Sequence, residues 1–343
     1  MRKLTALLLL LALLLSGCKP TAPSPTTTAP ETTDALVVHF IDVGQADCAL
    51  LVCDGEFMLI DGGNVDDSSL VVSYLERHGV EELSAVVCSH AHEDHVGGLA
   101  GVLAVFPTKA VYAPTRTHSS ACFDNFLYYA DQQDLTVQIP APGDTFALGG
   151  AQITVLGPVK SYPDVNNTSL VLKVVYGETS FLFTGDMETE AENDMLDAGA
   201  DVKVDVLKVG HHGSNTSTGY RFLYEAAPDY GVISLGTDNP YGHPHDEPMS
   251  RLMDANVTVY RTDLLGTVLA VSDGKTVHFD WEKASQSPIV PSGGAEYYIG
   301  NKNSRALHLP SCTGLPSEKN QVLYYDYNEA IADGYSPCSR CMK

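Results

Sequence analysis

Short apolar runs recur between residues 36 and 279 and alternate with segments in which apolar residues follow a helical period. The runs are rich in Val, Ile, Leu and Phe and end at Gly, Asp or other turn-forming residues, which is typical of β-strands. The predicted strands are 36–41, 49–53, 57–60, 83–88, 152–156, 169–176, 180–184, 204–209, 230–235, 267–271 and 276–279. The predicted helices are 68–77, 96–105, 188–198 and 218–226. This mixture predicts a layered α/β domain with a mixed or antiparallel sheet.

Two segments of different composition bound the patterned region. Residues 19–34 are rich in Pro and Thr and predict an extended tether, and residues 284–294 (ASQSPIVPSGG) have the composition of a linker. We therefore predict a main domain over 35–283 and a small tail module over 295–343. An apolar content of 44% in 343 residues is typical of a globular protein.

The negative charge is concentrated in the main domain. The whole chain has a net charge of −23, residues 35–293 alone carry −24, and residues 294–343 are neutral overall. This distribution excludes a uniformly basic nucleic-acid surface. It also argues against tight, non-specific binding of DNA by the main domain.

The first 18 residues have the pattern of an export signal. Arg2 and Lys3 precede the apolar run 4–15, which is too short to span a bilayer comfortably. The segment 15–18 (LSGC) resembles the cleavage box of bacterial lipoproteins, in which Cys18 becomes the lipidated N-terminus. We therefore expect an exported protein that lipid anchors to the outer face of the cytoplasmic membrane, with a plain secretory signal as the alternative.

The chemically most informative segment is 89–95 (SHAHEDH), which directly follows the apolar run 83–88. It places three imidazoles and a carboxylate within six residues, and these side chains belong to His90, His92, Asp94 and His95. Imidazole and carboxylate groups suit zinc, manganese or iron and can hold a metal with positions left open for water. The segment therefore predicts a metal site at the end of a buried strand.

Two later apolar strands also end in potential metal ligands. The run 181–186 (FLFTGD) delivers Asp186, and the run 206–213 (VLKVGHHG) delivers His211 and His212. Ligands on several strand ends can converge on one edge of a folded sheet, where loops leave room for a substrate. We prefer His211 to His212 as the ligand, because His211 follows its strand as the first histidine of SHAHEDH does.

These motifs resemble the metallo-β-lactamase superfamily over nearly all of residues 36–280. The superfamily's HxHxDH motif is matched at 90–95, its bridging aspartate at Asp186, and its last histidine at 211–212. The closer resemblance is to the extracellular nuclease domain of ComEC-type DNA-uptake proteins. The matching segments are 39–48 (HFIDVGQADC), 59–63 (LIDGG), 89–98 (SHAHEDHVGG), 166–172 (NNTSLVL), 181–186 (FLFTGD), 205–217 (DVLKVGHHGSNTS), 239–244 (NPYGHP) and 260–266 (YRTDLLG). The membrane channel of those proteins is absent from this sequence, so we expect a free-standing, membrane-tethered relative.

The resemblance implies an αββα sandwich with two divalent metals, zinc or manganese, at one edge. The ligands expected for the first metal are His90, His92 and Asp186, with Asn167 or water as a further ligand. The ligands expected for the second metal are Asp94, His95, Asp186 and His211 or His212. In such a centre the metals would supply a hydroxide for attack on the phosphorus of a phosphodiester, in line with the leaving sugar oxygen.

One position departs from the pattern of many binuclear members of the superfamily, which have another histidine shortly before the bridging aspartate. Between His95 and His211 this chain has only His118, and the expected position reads Asn-Asn-Thr-Ser at 166–169. ComEC-type domains look similar here, so the departure fits the subfamily. Because of this departure, we do not expect the two metals to bind with equal affinity.

Further polar residues are candidates for contact with the substrate. They are Lys208 and His243, with Asp94, as catalytic residues, and Asn167, Ser214 and Asn239 as substrate contacts. For Lys208 the equal alternative is a lysine that extends from its strand to solvent. The resemblance places Asn239 and His243 on the rim of the site, with His243 as a phosphate contact or proton donor. For Ser214 a helix cap before 218–226 is an equal alternative.

The tail module contains a second set of potential metal ligands. His308 and Cys312 form one close pair, and Cys338 and Cys341 form another after a loop of 25 residues. Three thiolates and one imidazole complete a tetrahedral site, and closed coordination with sulfur is typical of structural zinc. Because so short a segment has little core, the metal would supply much of its folding energy. Unpaired exposed cysteines are the alternative.

The tail module resembles the zinc-binding N-terminal module of the Ada DNA-repair protein. The likeness rests on 298–304 (YIGNKNS), on the ligand spacing and on 334–338 (GYSPC). His308 stands where Ada has a cysteine, and because a thiolate is the methyl acceptor there, methyl transfer is not expected. A role in DNA contact or docking remains, for which the candidate cations are Lys302, Arg305, Lys319 and Arg340.

These residues favour a lipid-anchored, metal-dependent nuclease or phosphodiesterase that acts on extracellular DNA, in nutrient scavenging or uptake. One alternative is a metallohydrolase of a small substrate, such as a lactone, a β-lactam or a small phosphodiester. Another is a non-catalytic DNA-binding lipoprotein at the cell surface. The expected partners are DNA as the substrate and the membrane through Cys18, and the sequence indicates no particular protein partner.

Overall fold

The computed structural model describes residues 34–291, 297–310, 312–324 and 327–342. The predicted signal peptide, the lipidated Cys18 and the tether as far as residue 33 lie outside the described residues. Within the described part of the chain, no helix combines the length and the apolar character needed to cross a membrane.

Strands and helices alternate along the described chain, and each type is numbered in chain order. The strands are β1 Leu36–Phe40, β2 Ala49–Cys53, β3 Glu56–Ile60, β4 Ala85–Val87, β5 Val111–Tyr112, β6 Thr145–Leu148, β7 Ala151–Gly157, β8 Val171–Tyr176, β9 Thr179–Phe183, β10 Val206–Lys208, β11 Tyr230–Ile233, β12 Thr258–Arg261, β13 Val268–Ser272, β14 Val277–Trp281, β15 Tyr298–Asn301, β16 Ala306–His308, β17 Gln321–Tyr324 and β18 Ser336–Pro337. The α-helices are α1 Ser68–Arg77, α2 Glu93–Val96, α3 Leu99–Val105, α4 Ala121–Asp131, α5 Thr189–Asp197, α6 Tyr220–Ala226, α7 Asp246–Asp254, α8 Thr262–Leu265 and α9 Tyr327–Ala332. Short 3-10 helices lie at Val65–Asp67, Asn166–Thr168, Gly210–Gly213 and Glu318–Asn320.

Among the described residues, two seven-stranded sheets make up the main domain. The first sheet has the order β14-β13-β1-β2-β3-β4-β5, and the second has the order β12-β11-β10-β9-β8-β7-β6. Strands β3 to β5 and strands β9 to β12 are parallel, and the other neighbouring strands are antiparallel. Helices α5, α6 and α7 connect the parallel strands of the second sheet, since a parallel pair needs a crossover connection. The prediction of an α/β domain with a mixed sheet is confirmed.

The two sheets pack face to face, and helices cover their outer faces. Between the sheets, the rings of Phe40 in β1 and Phe183 in β9 stack with centroids 5.9 Å apart. Helices α1, α3 and α4 pack on the outer face of the first sheet through residues such as Leu75 and Phe126. Helices α5 to α7 pack in the same way on the second sheet, with Met195 in the contact. Strand β1 is therefore buried at every position, and the αββα sandwich is confirmed.

Two glycines divide the predicted helix 96–105 into α2 and α3. A Cβ atom at Gly98 would collide with the carbonyl oxygen of Gly62, and one at Gly97 would collide with the backbone of Val65. Only glycine permits this approach of the chain after β3 to the chain after α2. The contact holds the SHAHEDH segment against the end of the neighbouring strand.

The sequence pattern did not predict α7, which contains Pro248 in its third position. Proline has no backbone N–H, and it is tolerated there because the first N–H groups of a helix have no partner within the helix. The apolar residues of α7, such as Leu252, then pack on the second sheet. Proline in a first helical turn therefore does not argue against a helix.

The tail module forms a four-stranded sheet, β17-β15-β16-β18, that is docked on the main domain. Tyr224 of α6 stacks on Tyr327 of α9 with ring centroids 3.8 Å apart, and Tyr220 and Tyr298 belong to the same buried cluster. The described part of the predicted linker also contacts the main domain, because Ile289 forms two backbone hydrogen bonds with Val259 of β12. Helix α6 thus contacts the tail module and directly follows the loop that carries the second histidine motif.

Candidate metal centre

The metal-ligand candidates follow strands whose ends meet at one edge of the sandwich. Asp61 follows β3, the SHAHEDH segment follows β4, Asp186 follows β9, and the two-histidine turn follows β10. A hydrogen bond of 2.8 Å from the amide of Leu170 to the carbonyl of Ser89 joins the two sheets at this edge. The strand ends therefore bring together residues that are more than a hundred positions apart in the sequence.

The SHAHEDH segment forms a tight turn into α2. His92 is the N-cap residue, so α2 begins at Glu93 and carries Asp94 and His95 in its first turn. His90 and His95 are completely buried, and their ring centroids lie 4.1 Å apart. The Nε2 atom of His90 lies 3.1 Å from Nδ1 of His92. The turn thus concentrates three imidazoles in a small volume.

Asp186 lies at the centre of the site, and its two oxygens face different histidines. Oδ1 lies 3.1 Å from Nε2 of His95 and 3.7 Å from Nε2 of His212. Oδ2 lies 3.9 Å from Nε2 of His90 and 3.6 Å from Nε2 of His211. The carboxylate therefore separates two sets of imidazoles, as a carboxylate that bridges two cations would.

The set at Oδ1 fits a divalent metal. Ligand atoms of Asp94, His95, Asp186 and His212 all lie within 4.8 Å of one another, and we call these four residues the hydrolase cluster. Among the described residues, Nε2 of His95 and Oδ1 of Asp186 are buried and have no hydrogen-bond partner. Buried polar atoms normally have a partner, and a cation coordinated between them would satisfy both.

The structure corrects the preference for His211 over His212 in this cluster. Both residues have left-handed backbone conformations, with φ of 51° and 53°, and Gly213 continues the turn with φ of 81°. The turn buries the side chain of His212, which is 2% exposed, whereas that of His211 is 21% exposed. His211 and His90 each follow a strand, but their side chains do not point in equivalent directions, so this similarity in sequence did not identify the ligand.

His211 lies instead beside Oδ2 of Asp186, on the side of His90 and His92. Its Nδ1 is 3.1 Å from the hydroxyl of Thr216 and 3.5 Å from the carboxylate of Glu188. These two contacts orient Nε2 towards Asp186. His211 is thus placed where it can complete the second imidazole set in a chain that lacks the additional histidine before the bridging aspartate.

A buried aspartate and a backbone carbonyl orient the imidazoles of the hydrolase cluster. Nδ1 of His95 donates to Oδ2 of Asp61 at 2.9 Å, and Nδ1 of His212 donates to the carbonyl of Ser234 at 2.9 Å, with Oδ1 of Asp47 3.2 Å away. Such acceptors behind metal-binding histidines fix the ring orientation and leave the other nitrogen free for the metal. Asp47 was not among the residues predicted to form the site, although it lies in the matching segment 39–48.

Two serine hydroxyls contact the ring of His90. The hydroxyl of Ser89 lies 3.1 Å and that of Ser169 lies 3.4 Å from Nδ1 of His90. Ser169 also accepts a hydrogen bond of 3.1 Å from the amide of Asp186. Neither serine was predicted to form part of the site, although Ser169 ends the Asn-Asn-Thr-Ser segment and Ser89 begins SHAHEDH.

The structure does not support Lys208 as a contact of the substrate. Its side chain is 5% exposed, and Nζ lies 2.8 Å from Oδ2 of Asp47 and donates to the carbonyl of Val209 at 3.2 Å. Burial acts to raise the pKa of Asp47, but Lys208 and His212 outweigh it and lower that pKa. Lys208 therefore keeps Asp47 charged behind the hydrolase cluster. The sheet directs the side chain inward, which the strand pattern alone does not show.

Two of the residues predicted to contact the substrate form hydrogen bonds to neighbouring protein groups instead. Asn167 is buried, and its Oδ1 accepts a hydrogen bond of 2.9 Å from the amide of Glu188. Ser214 is also buried, with its hydroxyl 3.1 Å from that of Thr216. Ser214 is not the cap of α6 either, because the N-cap residue is Gly219. Both side chains shape the backbone near the ligands and do not face a substrate.

Asn239 also acts within its loop. Its amide nitrogen donates to the carbonyls of Gly236 and His243 at 3.1 and 2.7 Å, and its Oδ1 accepts from the amide of His243 at 3.0 Å. These three hydrogen bonds use the whole side-chain amide. Asn239 is therefore a positioning residue for His243 and not a substrate contact.

The ring of His243 lies 5.8 Å from that of His211, and its hydrogen bonds indicate which nitrogen carries the proton. The amide of Gly236 donates to Oε1 of Gln45, so the Nε2 group of Gln45 faces Nδ1 of His243 at 3.3 Å. The acceptor is therefore Nδ1, and Nε2 of the ring carries the proton. Burial, with the neighbouring His212 and His245, lowers the pKa of His243 to about 4. A neutral imidazole can donate a hydrogen bond near pH 7 but is not an acid there, which argues against the proton-donor role.

The tail module brings its predicted ligands together. Ligand atoms of His308, Cys312, Cys338 and Cys341 lie within 4.8 Å of one another, and we call these residues the tail cluster. Nδ1 of His308 lies 3.3 Å from the sulfur of Cys312 and 4.0 Å from that of Cys341. Burial raises the pKa of Cys338, but the backbone amides of Arg340 and Cys341 outweigh it and lower that pKa. This donor set fits zinc.

An αββα sandwich with histidines and aspartates clustered at one edge defines a metal-dependent hydrolase. Residues 41–237 match the metallo-beta-lactamase superfamily, and residues 291–343 match the metal binding domain of Ada. The chain belongs to the metallo-beta-lactamase superfamily and carries an Ada-like metal-binding domain at its C-terminal end.

Several curated relatives are named for genetic competence. The chain is 31% identical over 250 residues to ComE operon protein 3 of Bacillus subtilis, an alignment that covers 67% of this chain and 32% of that protein. It is 31% identical over 242 residues to competence protein ComA of Neisseria gonorrhoeae, covering 70% and 32%. Recombination protein 2 of Haemophilus influenzae is 32% identical over 238 residues, covering 67% and 28%. The chain thus spans about a third of the length of these relatives.

The fold also resembles solved structures. The metallo-beta-lactamase fold protein YhfI from Bacillus subtilis superposes with a TM-score of 0.50 at 15% sequence identity. The match covers 70% of this chain and 100% of that protein. At this identity the similarity supports the fold alone.

Proposed function

We propose that this protein is a membrane-tethered, metal-dependent phosphodiesterase that cleaves extracellular DNA. The observation that carries the proposal is the position of Asp186, whose two oxygens face two sets of imidazoles at 3.1 to 3.9 Å. Two-metal sites use such a carboxylate between cations to act on phosphodiesters. The similarity of the main domain to competence proteins supports DNA as the substrate.

The residues present fit zinc or manganese, since they offer oxygen and nitrogen without sulfur. The hydrolase cluster, Asp94, His95, Asp186 and His212, would hold one metal. His90, His92, His211 and the second oxygen of Asp186 would hold the other. When bound, the metals would supply an acidified water molecule and polarise the oxygens of the phosphodiester.

The protein's own residues orient these ligands and the substrate. Asp61 holds the ring of His95 and the carbonyl of Ser234 holds that of His212, so that both Nε2 atoms point to Asp186. On the rim, the Nε2–H group of His243 is available to donate a hydrogen bond to a phosphoryl oxygen. Such a donor stabilises the negative charge that increases on phosphoryl oxygens during the displacement.

The predicted lipid on Cys18 and the tether 19–34 would hold this activity at the cell surface. A tethered enzyme meets extracellular DNA close to the membrane. This compensates in part for a main domain whose net charge of −24 over residues 35–293 repels a polyanion.

The same charge favours a second candidate, a hydrolase of a small phosphodiester. A net charge of −24 over residues 35–293 repels a long DNA backbone more strongly than a substrate with one phosphate. The ligands and the chemistry would be those described above. The two candidates differ only in the size of the substrate.

The proposal is tested with the full chain in detergent micelles, with manganese or zinc added. Single-stranded DNA, duplex DNA, bis(p-nitrophenyl) phosphate and nitrocefin are offered separately, and cleavage is measured for the wild type and His92→Ala. The matched control is His278→Ala, which changes an exposed histidine of β14.

We expect metal-dependent cutting of DNA that His92→Ala abolishes and His278→Ala retains. Cleavage of bis(p-nitrophenyl) phosphate without cleavage of DNA would favour the small phosphodiester. Turnover of nitrocefin alone would overturn phosphodiester chemistry. DNA binding without turnover of any substrate would indicate a non-catalytic surface protein.

A further inference from the structure

Tyr241 is an exposed aromatic residue beside the candidate metal centre. It lies in the loop 234–245 between β11 and α7, and 65% of its surface is exposed. Burying a tyrosine ring is favourable, so a ring presented to solvent at the rim of a site is a candidate for contact with a ligand.

The ring of Tyr241 is aligned with the rings that lead to the metal ligands. It lies 5.6 Å from the ring of His243 with an interplanar angle of 25°. The ring of His243 in turn lies 6.3 Å from that of His212 with an interplanar angle of 22°. Tyr241 is therefore separated from the hydrolase cluster by one ring, that of His243, and each successive pair of rings is tilted by 25° or less.

The loop that carries Tyr241 is fixed on both sides of this residue. Asn239 forms three hydrogen bonds with the backbone of Gly236 and His243, and Gln45 joins the same two residues from the first sheet. The backbone on either side of Tyr241 is thus held in place before a substrate arrives. A preorganised aromatic surface loses little conformational entropy on binding.

We propose that Tyr241 stacks on an unpaired nucleobase next to the phosphodiester that is cleaved. Every nucleobase has a flat face, so a stacking ring binds single-stranded DNA without a sequence preference. In a duplex the neighbouring bases cover these faces, and only a frayed or terminal base is accessible. The inference rests on the proposed function and specifies its substrate as single-stranded DNA.

The charge of the main domain supports the same inference. A net charge of −24 over residues 35–293 excludes the broad phosphate contact that most DNA-binding surfaces use. Stacking on a base contributes binding affinity without positively charged side chains. The structure therefore offers a base contact where the surface charge disfavours a backbone contact.

The experiment compares two oligonucleotides with the same phosphates, an oligothymidylate and an abasic strand of equal length. Cleavage of each strand by the full chain is measured in detergent with manganese. The proteins compared are the wild type, Tyr241→Ala, Tyr241→Phe and the control Tyr128→Ala. Tyr128 is 54% exposed on α4 and serves as a matched surface tyrosine. Equilibrium binding of both fluorescent strands to each protein is measured by anisotropy.

We expect Tyr241→Ala to raise KM for oligothymidylate by about 5- to 150-fold with kcat nearly unchanged, which corresponds to the loss of one stacked base. Tyr241→Phe and Tyr128→Ala should resemble the wild type. The abasic strand should bind weakly to all four proteins. Dissociation constants should follow the same pattern.

Two results separate this inference from the proposed function. If neither binding nor KM depends on Tyr241, or if the abasic strand is as good a substrate as oligothymidylate, the stacking role is wrong even though DNA is cleaved. If binding depends on Tyr241 but no metal supports cleavage, the stacking role stands and the proposed nuclease activity is wrong.

Discussion

The hydrolase cluster and the tail cluster each combine four ligands, but they are built in opposite ways. The hydrolase cluster uses oxygen and nitrogen donors at the edge of a large sandwich, with Asp47 and Asp61 behind its imidazoles. The tail cluster uses three thiols and one imidazole in a module with a small core. A metal in the first has a prepared position and can act on a substrate, whereas a metal in the second holds the chain together.

The largest expected effect of this difference is on folding. Removing the metal with a chelator, or changing Cys338→Ser, should unfold the tail module but leave the main domain folded. Structural zinc contributes about 10–16 kcal/mol in zinc-finger peptides, and the small core of the tail cannot replace it. Limited proteolysis of the full chain with mass spectrometry would show cuts confined to residues 297–342.

The matched control is Cys122→Ser, which changes a free, half-buried thiol in α4. It should leave the proteolysis pattern and the metal content of the tail unchanged. Protection of the tail from proteolysis after its metal is lost would contradict a folding role and would remove the distinction between the two clusters.

The second effect concerns the buried ion pair behind the hydrolase cluster. Lys208→Met should destabilise the main domain by about 3–5 kcal/mol, because it leaves Asp47 buried without its cation. Denaturant unfolding of the full chain measures this change. The control is Lys109→Met, which removes an exposed ion pair with Glu82 and should have little effect.

A different result would restore the role that the sequence suggested for Lys208. If Lys208→Met kept its stability and its metal affinity and raised only KM for DNA, the lysine would contact the substrate. The tail cluster has no comparable ion pair among its described residues, so no equivalent experiment exists there.

The third effect separates orientation of the ligands from folding. Asp61→Asn should weaken metal binding by about 10- to 100-fold, since the amide cannot hold His95 as the carboxylate does. Isothermal titration with manganese measures the affinity, and thermal unfolding without metal should change little. An unchanged affinity would show that the ring of His95 is fixed by its packing alone.

The smallest effect concerns the start of α6, the helix of the main domain that also contacts the tail module. Glu192 is buried and accepts hydrogen bonds from the amides of Thr218 and Gly219, directly before α6. Burial raises its pKa from 4.5 to about 7, although those amides and Arg251 oppose the shift. Its contribution to stability is therefore complete below pH 4.5 and is lost as the pH rises through 7.

We expect the melting temperature of the wild type to fall relative to that of Glu192→Gln between about pH 5 and 7, where the folded state binds the additional proton. Thermal unfolding at several pH values measures the difference. Parallel curves for the two proteins would show that Glu192 is charged in the folded state throughout this range.

The ligand types and their spacing were predictable from the sequence. SHAHEDH and the two Cys- and His-containing pairs of the tail are local patterns, in which turns of a few residues bring together the side chains of each segment. Most strands of the main domain were also predictable, because they are short runs rich in apolar residues, whereas β5, β6 and β12 were not predicted. These features depend on neighbours in the sequence, so the local patterns determined an α/β domain and the ligand types of both clusters, and the resemblance to the metallo-β-lactamase superfamily implied the αββα arrangement.

The directions of single side chains were decided only by the tertiary structure. His211 and His212 are neighbours, and a left-handed turn determines which of them enters the hydrolase cluster. Lys208 and Asp47 are far apart in the sequence, and their contact requires both sheets. Tyr241 and His212 lie on either side of His243, in a loop arrangement to which Gln45 of the opposite sheet contributes a hydrogen bond. Such contacts depend on backbone turns and distant partners, which a pattern along one chain does not encode.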